Sequence, residues 1–237
     1  MNQTLTPQTL PSFAYTNRSL IPDRVRGVAV ELIGLGDSRM HGEDYETGKR
    51  LAKDGILLLH PYVNPWAWMN GQTVAFVDRL LDLVFEAEAL PADTPIAIIG
   101  GSMGGQQALT YTAYAKRPIA ACVVNCPVCD LVFHYTERPD LPRTLYSAFA
   151  NYEGSMQDAL ESASPLHLAA KMPEAVYTIF HCECDMAVNK EAHSDRFVEA
   201  LRGRMPVTYY AVPEKGHCDL TPEMWEKWRE AMLAQMK

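Results

Sequence analysis

The chain has 237 residues, 48% of them hydrophobic, which is ample for one core and within the range where an α/β fold stays a single domain. Its net charge of -8 and its lack of a Lys/Arg-rich tract argue against a nucleic-acid surface, because phosphates call for clustered cations. No window holds the ~18 uninterrupted apolar residues of a membrane helix, and residues 1–8 have neither the basic nor the apolar region of a secretory leader, so a cytoplasmic protein with no membrane partner is the expectation.

Residues 1–24 lack clear periodicity and read as an N-terminal arm or a stray edge strand ahead of one domain over 25–237. Six short runs follow at 25–33, 55–59, 95–99, 119–124, 175–180 and 206–212, rich in Val, Ile and Leu and nearly continuous in apolar character. Such runs suit strands buried on both faces, as in a parallel sheet. Between them lie segments of helical period, among them Val74, Val77, Leu80, Leu81 and Val84, and later Met224, Trp225, Trp228 and Met232. Asn189 can cap a helix that Gly203 ends, and Thr221-Pro222 can open the last one. Alternating strands and helices give the α/β class with right-handed crossovers. The stretch 131–172 breaks the alternation with aromatics, prolines and charges, and reads as a lid-like insertion of small helices.

Gly100-Gly101-Ser102-Met103-Gly104 falls between the run 95–99 and a helical stretch from Gly105. A tight strand-to-helix corner forces its central residue into a strained backbone that only small neighbours tolerate, and lifts the Ser102 hydroxyl clear of the sheet edge. The turn has no Gly-Lys-Ser/Thr and no dinucleotide fingerprint, although a structural or phosphate-binding turn stays open on the motif alone. Loops after parallel strands meet on one edge of an open sheet. The loop after 175–180 carries His181, Glu183 and Asp185, and the loop after 206–212 carries Glu214, Gly216 and His217. The order Ser102, Asp185, His217 is nucleophile, acid, base; Glu183 and Asp130 are rival acids, and Asp185 could instead cap a turn.

The chain therefore resembles the α/β-hydrolase superfamily, and within it the catalytic domain of the prolyl oligopeptidase family and related esterases. Ser164-Pro165, Asp185 with Val188, and Gly216-His217 carry that resemblance over about 25–237. It implies an α/β-hydrolase fold, a mostly parallel sheet flanked by helices, and hydrolysis through an acyl-enzyme by Ser102, Asp185 and His217. The backbone N–H of Met103 would form one half of the oxyanion hole. Leu35, in Ile33-Gly34-Leu35-Gly36, would supply the other, with isoleucine where the family commonly has histidine.

The expected substrate is a small carboxylic ester or amide, with neither cofactor nor metal required. A peptidase acting on short peptides, or a non-catalytic binding protein on the same scaffold, are the alternatives. Tyr62, Trp66 and Trp68 follow the strand near His60 and could wall a substrate pocket, or simply pack in the core. The six cysteines include Cys126-Pro-Val-Cys129, Cys182, Cys184 and Cys218. They are expected to be reduced, unligated thiols, several of them close enough to strand ends to share one pocket.

Overall fold

The computed structural model describes residues 4–236, so the first three residues of the expected arm and Lys237 lie outside it. A seven-stranded sheet has the order β1-β3-β2-β4-β5-β6-β7. Its strands are β1 (Ala14–Thr16), β2 (Gly27–Leu32), β3 (Ile56–Pro61), β4 (Ile96–Gly101), β5 (Ala121–Asn125), β6 (Val176–Cys182) and β7 (Val207–Val212). From β3 to β7 every neighbouring pair is parallel, and only β1 runs antiparallel, with Tyr15 opposite His60. The six apolar runs are thus the six parallel strands, and residues 14–16 close the sheet as its edge.

Both faces of the sheet are covered, which is why the runs lack alternation. On one face Val28, Val30, Leu57, Ile96, Ile98 and Val124 pack with α2 (Gly71–Ala87), α3 (Met103–Tyr114) and α8 (Arg196–Leu201). On the other Ala29, Leu58, Ala97, Ile99 and Val123 meet α1 (Glu46–Lys53) and α9 (Pro222–Leu233). Side chains alternate between faces at a period of two, so each strand feeds both cores. Caps fix the helix ends: Asn70 accepts from Thr73 N at the start of α2, and the Thr221 hydroxyl from Met224 N at the start of α9. Asn189 accepts from Ala192 N as its position predicts, but the next turn, Glu191–Asp195, is wider than an α-turn before α8 begins.

The region 131–172 folds as α4 (Leu131–Glu137), α5 (Leu141–Phe149), α6 (Met156–Ser162) and α7 (Pro165–Leu168). These helices bury Leu131, Leu141, Leu145, Phe149 and Leu160 against Trp68, Met103 and Val188. Polar ties reinforce that small core. Arg196 donates to Asp130 at 2.9 Å, and Glu137 accepts from His134, His193 and Asn189 N at 2.6, 3.0 and 2.8 Å. This helical segment is therefore anchored to the β6–α8 connection, the same segment that carries Asp185.

Candidate active site

Ser102 stands between β4 and α3 with φ 58° and ψ -127°, a left-handed conformation that an L-residue adopts only under constraint. Two close approaches impose it. A side chain at Gly100 would collide with the backbone of Gly104, and one at Gly104 with the carbonyl of Leu32, so both positions need glycine. Ser102 N donates to Asn125 O at 2.9 Å, tying the corner to the end of β5. The hydroxyl consequently sits at the carboxyl edge of the sheet, at the head of α3.

The β6 and β7 loops leave the same edge of the sheet, and Cys218 Sγ donates to the Asn125 carbonyl that Ser102 N also reaches. His217 Nδ1 lies 2.7 Å from Asp185 Oδ2, while Asp185 Oδ1 accepts from Ala187 N at 2.8 Å and Val188 N at 3.0 Å. Burial would raise the pKa of Asp185, but the hydrogen bonds from His181, His217 and these two amides outweigh it and hold the carboxyl well below its usual range. An ionised Asp185 thus fixes the imidazole with its proton on Nδ1 and leaves Nε2 free to accept one. Burial opposes charge on His217 as well. Hydrogen bonds to Asp185 and then Cys126 prevail, and its pKa rises to about 9. Nε2 has Cys218 Sγ at 3.8 Å, and among the described residues no hydrogen bond links it to Ser102.

Other sequence-selected residues are distributed as follows. Neither Met103 N nor Leu35 N has a hydrogen-bond partner among the described residues. The loop bearing Leu35 is held by Gln107 Nε2, which donates to Ile33 O at 3.0 Å, and by Gly36 N, which donates to Pro65 O at 3.0 Å. Of the three aromatics, Tyr62 borders a cavity of about 240 Å³ with Ile33, Asp37, Arg39 and His60. Trp66 is 36% exposed, with the Arg143 guanidinium 5.6 Å from its ring centroid. Trp68 does not wall an open pocket: it is fully buried under the inserted helices, where its indole N–H finds Thr144 Oγ1 at 3.1 Å. An indole whose N–H reaches a partner can be buried whole, and Trp68 packs as core.

Among the rivals, Asp130 caps α4 and pairs with Arg196, so it is committed elsewhere. His181 is fully buried, with Ser194 Oγ 2.7 Å from Nδ1 and Val188 O 3.2 Å from Nε2, and it buttresses the Asp185 turn. Sequence reasoning missed a second cavity of about 290 Å³ beside Gly100 and Gly101, bordered by Glu31, Asn125, Cys218, Trp225 and Trp228. It lies between α1 and α9 on the face of the sheet that both cover, so no local pattern announces it.

The sequence model of the family described as "alpha/beta hydrolase fold" matches residues 7–217, most of the chain. The protein belongs to the α/β-hydrolase family. No curated protein matches it. Solved structures of the same fold include a puromycin hydrolase at 18% identity, TM-score 0.70, covering 91% of this chain and 34% of that one. An S-formylglutathione hydrolase from Agrobacterium tumefaciens matches at 15% identity and TM-score 0.70, over 92% of this chain and 88% of that one. An acetyl xylan esterase from Paenibacillus sp. R4 matches at 19% identity and TM-score 0.68, over 91% of this chain and 76% of that one. The α/β-hydrolase chain thus spans about a third of the puromycin hydrolase's length but most of the other two. Among the described residues no helix is long and apolar enough to cross a membrane.

Proposed function

We propose that this α/β-hydrolase is a serine hydrolase that cleaves small carboxylic esters, with amides as a second substrate class, through an acyl-enzyme. The observation that carries the reading is the placement of a left-handed Ser102 on the same sheet edge as a hydrogen-bonded His217–Asp185 pair. Nε2 of His217 takes the Ser102 proton as the oxygen attacks the carbonyl. Asp185 holds the ring in the tautomer that leaves Nε2 as acceptor and stabilises the imidazolium. The N–H groups of Met103 and Leu35 receive the oxyanion, aided by the positive end of α3. His217 then protonates the leaving group, and water attacks the acyl-enzyme by the same route. Catalytic hydrogen bonds are often long or misaligned in a free enzyme and tighten with substrate, which accounts for the open Ser102–His217 contact.

The cavity of about 290 Å³ beside Gly100 and Gly101, next to the Ser102 turn, is of a size that a small acyl or alcohol group fills. A panel of p-nitrophenyl esters compared with aminoacyl-naphthylamides tests the substrate class. Short-chain esters should give the higher kcat/KM, whereas faster amide turnover means a peptidase and no turnover of either favours a ligand-binding protein.

The base works unprotonated, so its elevated pKa sets the direction of the pH dependence. kcat/KM should climb as pH rises through 6.5 towards about 9 as His217 loses its proton. A limb centred at or below 6.5 contradicts the Asp185-supported imidazole, whose ordinary value is about 6.5.

A further inference from the structure

Two thiols beside His217, those of Cys126 and Cys218, are not used by the hydrolytic scheme. Ligand atoms of Cys126, His217 and Cys218 all lie within 4.8 Å of one another. They come from two loops, Cys126 just beyond β5 and the other two beyond β7, so the fold and not a local motif brings them together. Cys126 and Cys218 are non-glycine residues at φ 46° and 58°, and those conformations direct both thiols to this point.

From this arrangement we propose that Cys126, Cys218 and His217 form a binding site for one thiophilic divalent cation of the zinc class, which on binding withdraws the His217 imidazole from hydrolysis. The withdrawal, though not the site, rests on the function proposed above.

Zinc bonds of ~2.3 Å to sulfur and ~2.0 Å to nitrogen at tetrahedral angles place a sulfur and a nitrogen roughly 3.5 Å apart. His217 Nε2 and Cys218 Sγ are 3.8 Å apart, close to that edge length. A ligating histidine ordinarily gives its other ring N–H to a carboxylate. His217 Nδ1 already has Asp185 Oδ2 at 2.7 Å, so the nitrogen left over is the one facing the thiols. Cys126 Sγ accepts from two backbone amides, Cys182 N and Cys218 N, each at 3.4 Å, which fix the sulfur between the end of β6 and the loop after β7. An overlapping trio, Cys126, His181 and Asp185, has the same spacing, but its imidazole is already engaged with Ser194 and Val188 and its carboxylate with three N–H groups. The first trio is therefore the one whose imidazole keeps a nitrogen free for a metal.

Binding converts two thiols to thiolates with release of two protons, and of a third wherever His217 carries a proton on Nε2; the imidazole then offers its Nε2 lone pair and keeps its Nδ1 proton, hydrogen-bonded to Asp185. Three protein ligands leave a fourth tetrahedral position for water. With Nε2 on the metal, no base faces Ser102.

The test uses the full chain, freed of metal by chelation, titrated with Zn²⁺ against a chromophoric chelator and with Co²⁺ by absorption spectroscopy. One equivalent should bind, with a sulfur-to-cobalt charge-transfer band in the near ultraviolet. The single variants Cys126→Ser and Cys218→Ser should each bind more weakly, and the double variant by ~100-fold or more. Unchanged affinity in the double variant, or a cobalt spectrum without the sulfur band, overturns the site. For the regulatory half, each protein's ester hydrolysis is compared with its own metal-free rate. Loss of activity over the concentrations that fill the site, reversed by chelator and absent in the double variant, is expected; full activity of the zinc-loaded native chain overturns it. If the protein hydrolyses no ester at all, the binding and cobalt measurements still decide the site.

Discussion

Asp185→Asn is expected to lower kcat by about four orders of magnitude on any ester the native protein turns over, with little change in KM. The magnitude follows from what the carboxylate does. It accepts the Nδ1 proton of His217 at 2.7 Å and is fully buried, so no water can take its place. An amide presents either an oxygen or an NH₂ to the imidazole. Because the Ala187 and Val188 N–H groups demand the oxygen on the opposite side, the NH₂ faces His217 and drives its proton to Nε2. The base then points a proton at Ser102 where it must accept one. A stopped or single-turnover assay reads the loss directly. A drop of less than about tenfold means that a different acid, or none, orients His217.

Gly104→Ala is expected to damage both stability and catalysis, against the ordinary preference of helices. Replacing glycine by alanine in a helix interior gains roughly 0.5–1 kcal/mol. Here the new methyl group would be forced onto the carbonyl oxygen of Leu32, and would lie 2.9 Å from that of Ile33. Those carbonyls end a central strand bonded on both sides, by β3 and β4, so the helix must move away. Overpacking of this kind costs about 1–3 kcal/mol, and more where only backbone can yield. For a domain of this length that corresponds to a fall in Tm of at least ~2–4 °C per kcal/mol. Moving α3 also displaces the Met103 N–H, so ester turnover should fall further than stability alone explains. Gly71→Ala, at the start of α2 with open space around it, is the control and should melt as the native protein does. Equal melting of the two variants contradicts the close approach at Gly104.

The sequence made six strands legible because each is buried on both faces and so reads as an unbroken apolar run. β1 was not separable from the arm. Three residues, Ala14–Thr16, are too few to show a period, and their pairing is set by β3 rather than by their own composition. Ser102 stood out because its two neighbouring approaches, at Gly100 and Gly104, demand glycine. Asp185 and His217 could be selected because strand ends in an open sheet converge. Trp68 shows the opposite limit: its position after a strand pointed to the rim, but the inserted helices cover it. Nothing in one dimension revealed that Thr144 would meet its indole. The same holds for Gln107, a helical glutamine whose bond to Ile33 O steadies the Leu35 loop, and for Cys126 and Cys218, which the sequence separates and the sheet edge reunites. Contacts that depend on three-dimensional closure leave no local signature.

The central claim is that Ser102 is an activated nucleophile, and an active-site-directed fluorophosphonate measures that directly. The native chain should take up one adduct per molecule, located by peptide mass spectrometry on Ser102, while Ser102→Ala takes up none. A folded native chain that stays unlabelled, or equal labelling of native and Ser102→Ala proteins, contradicts the account.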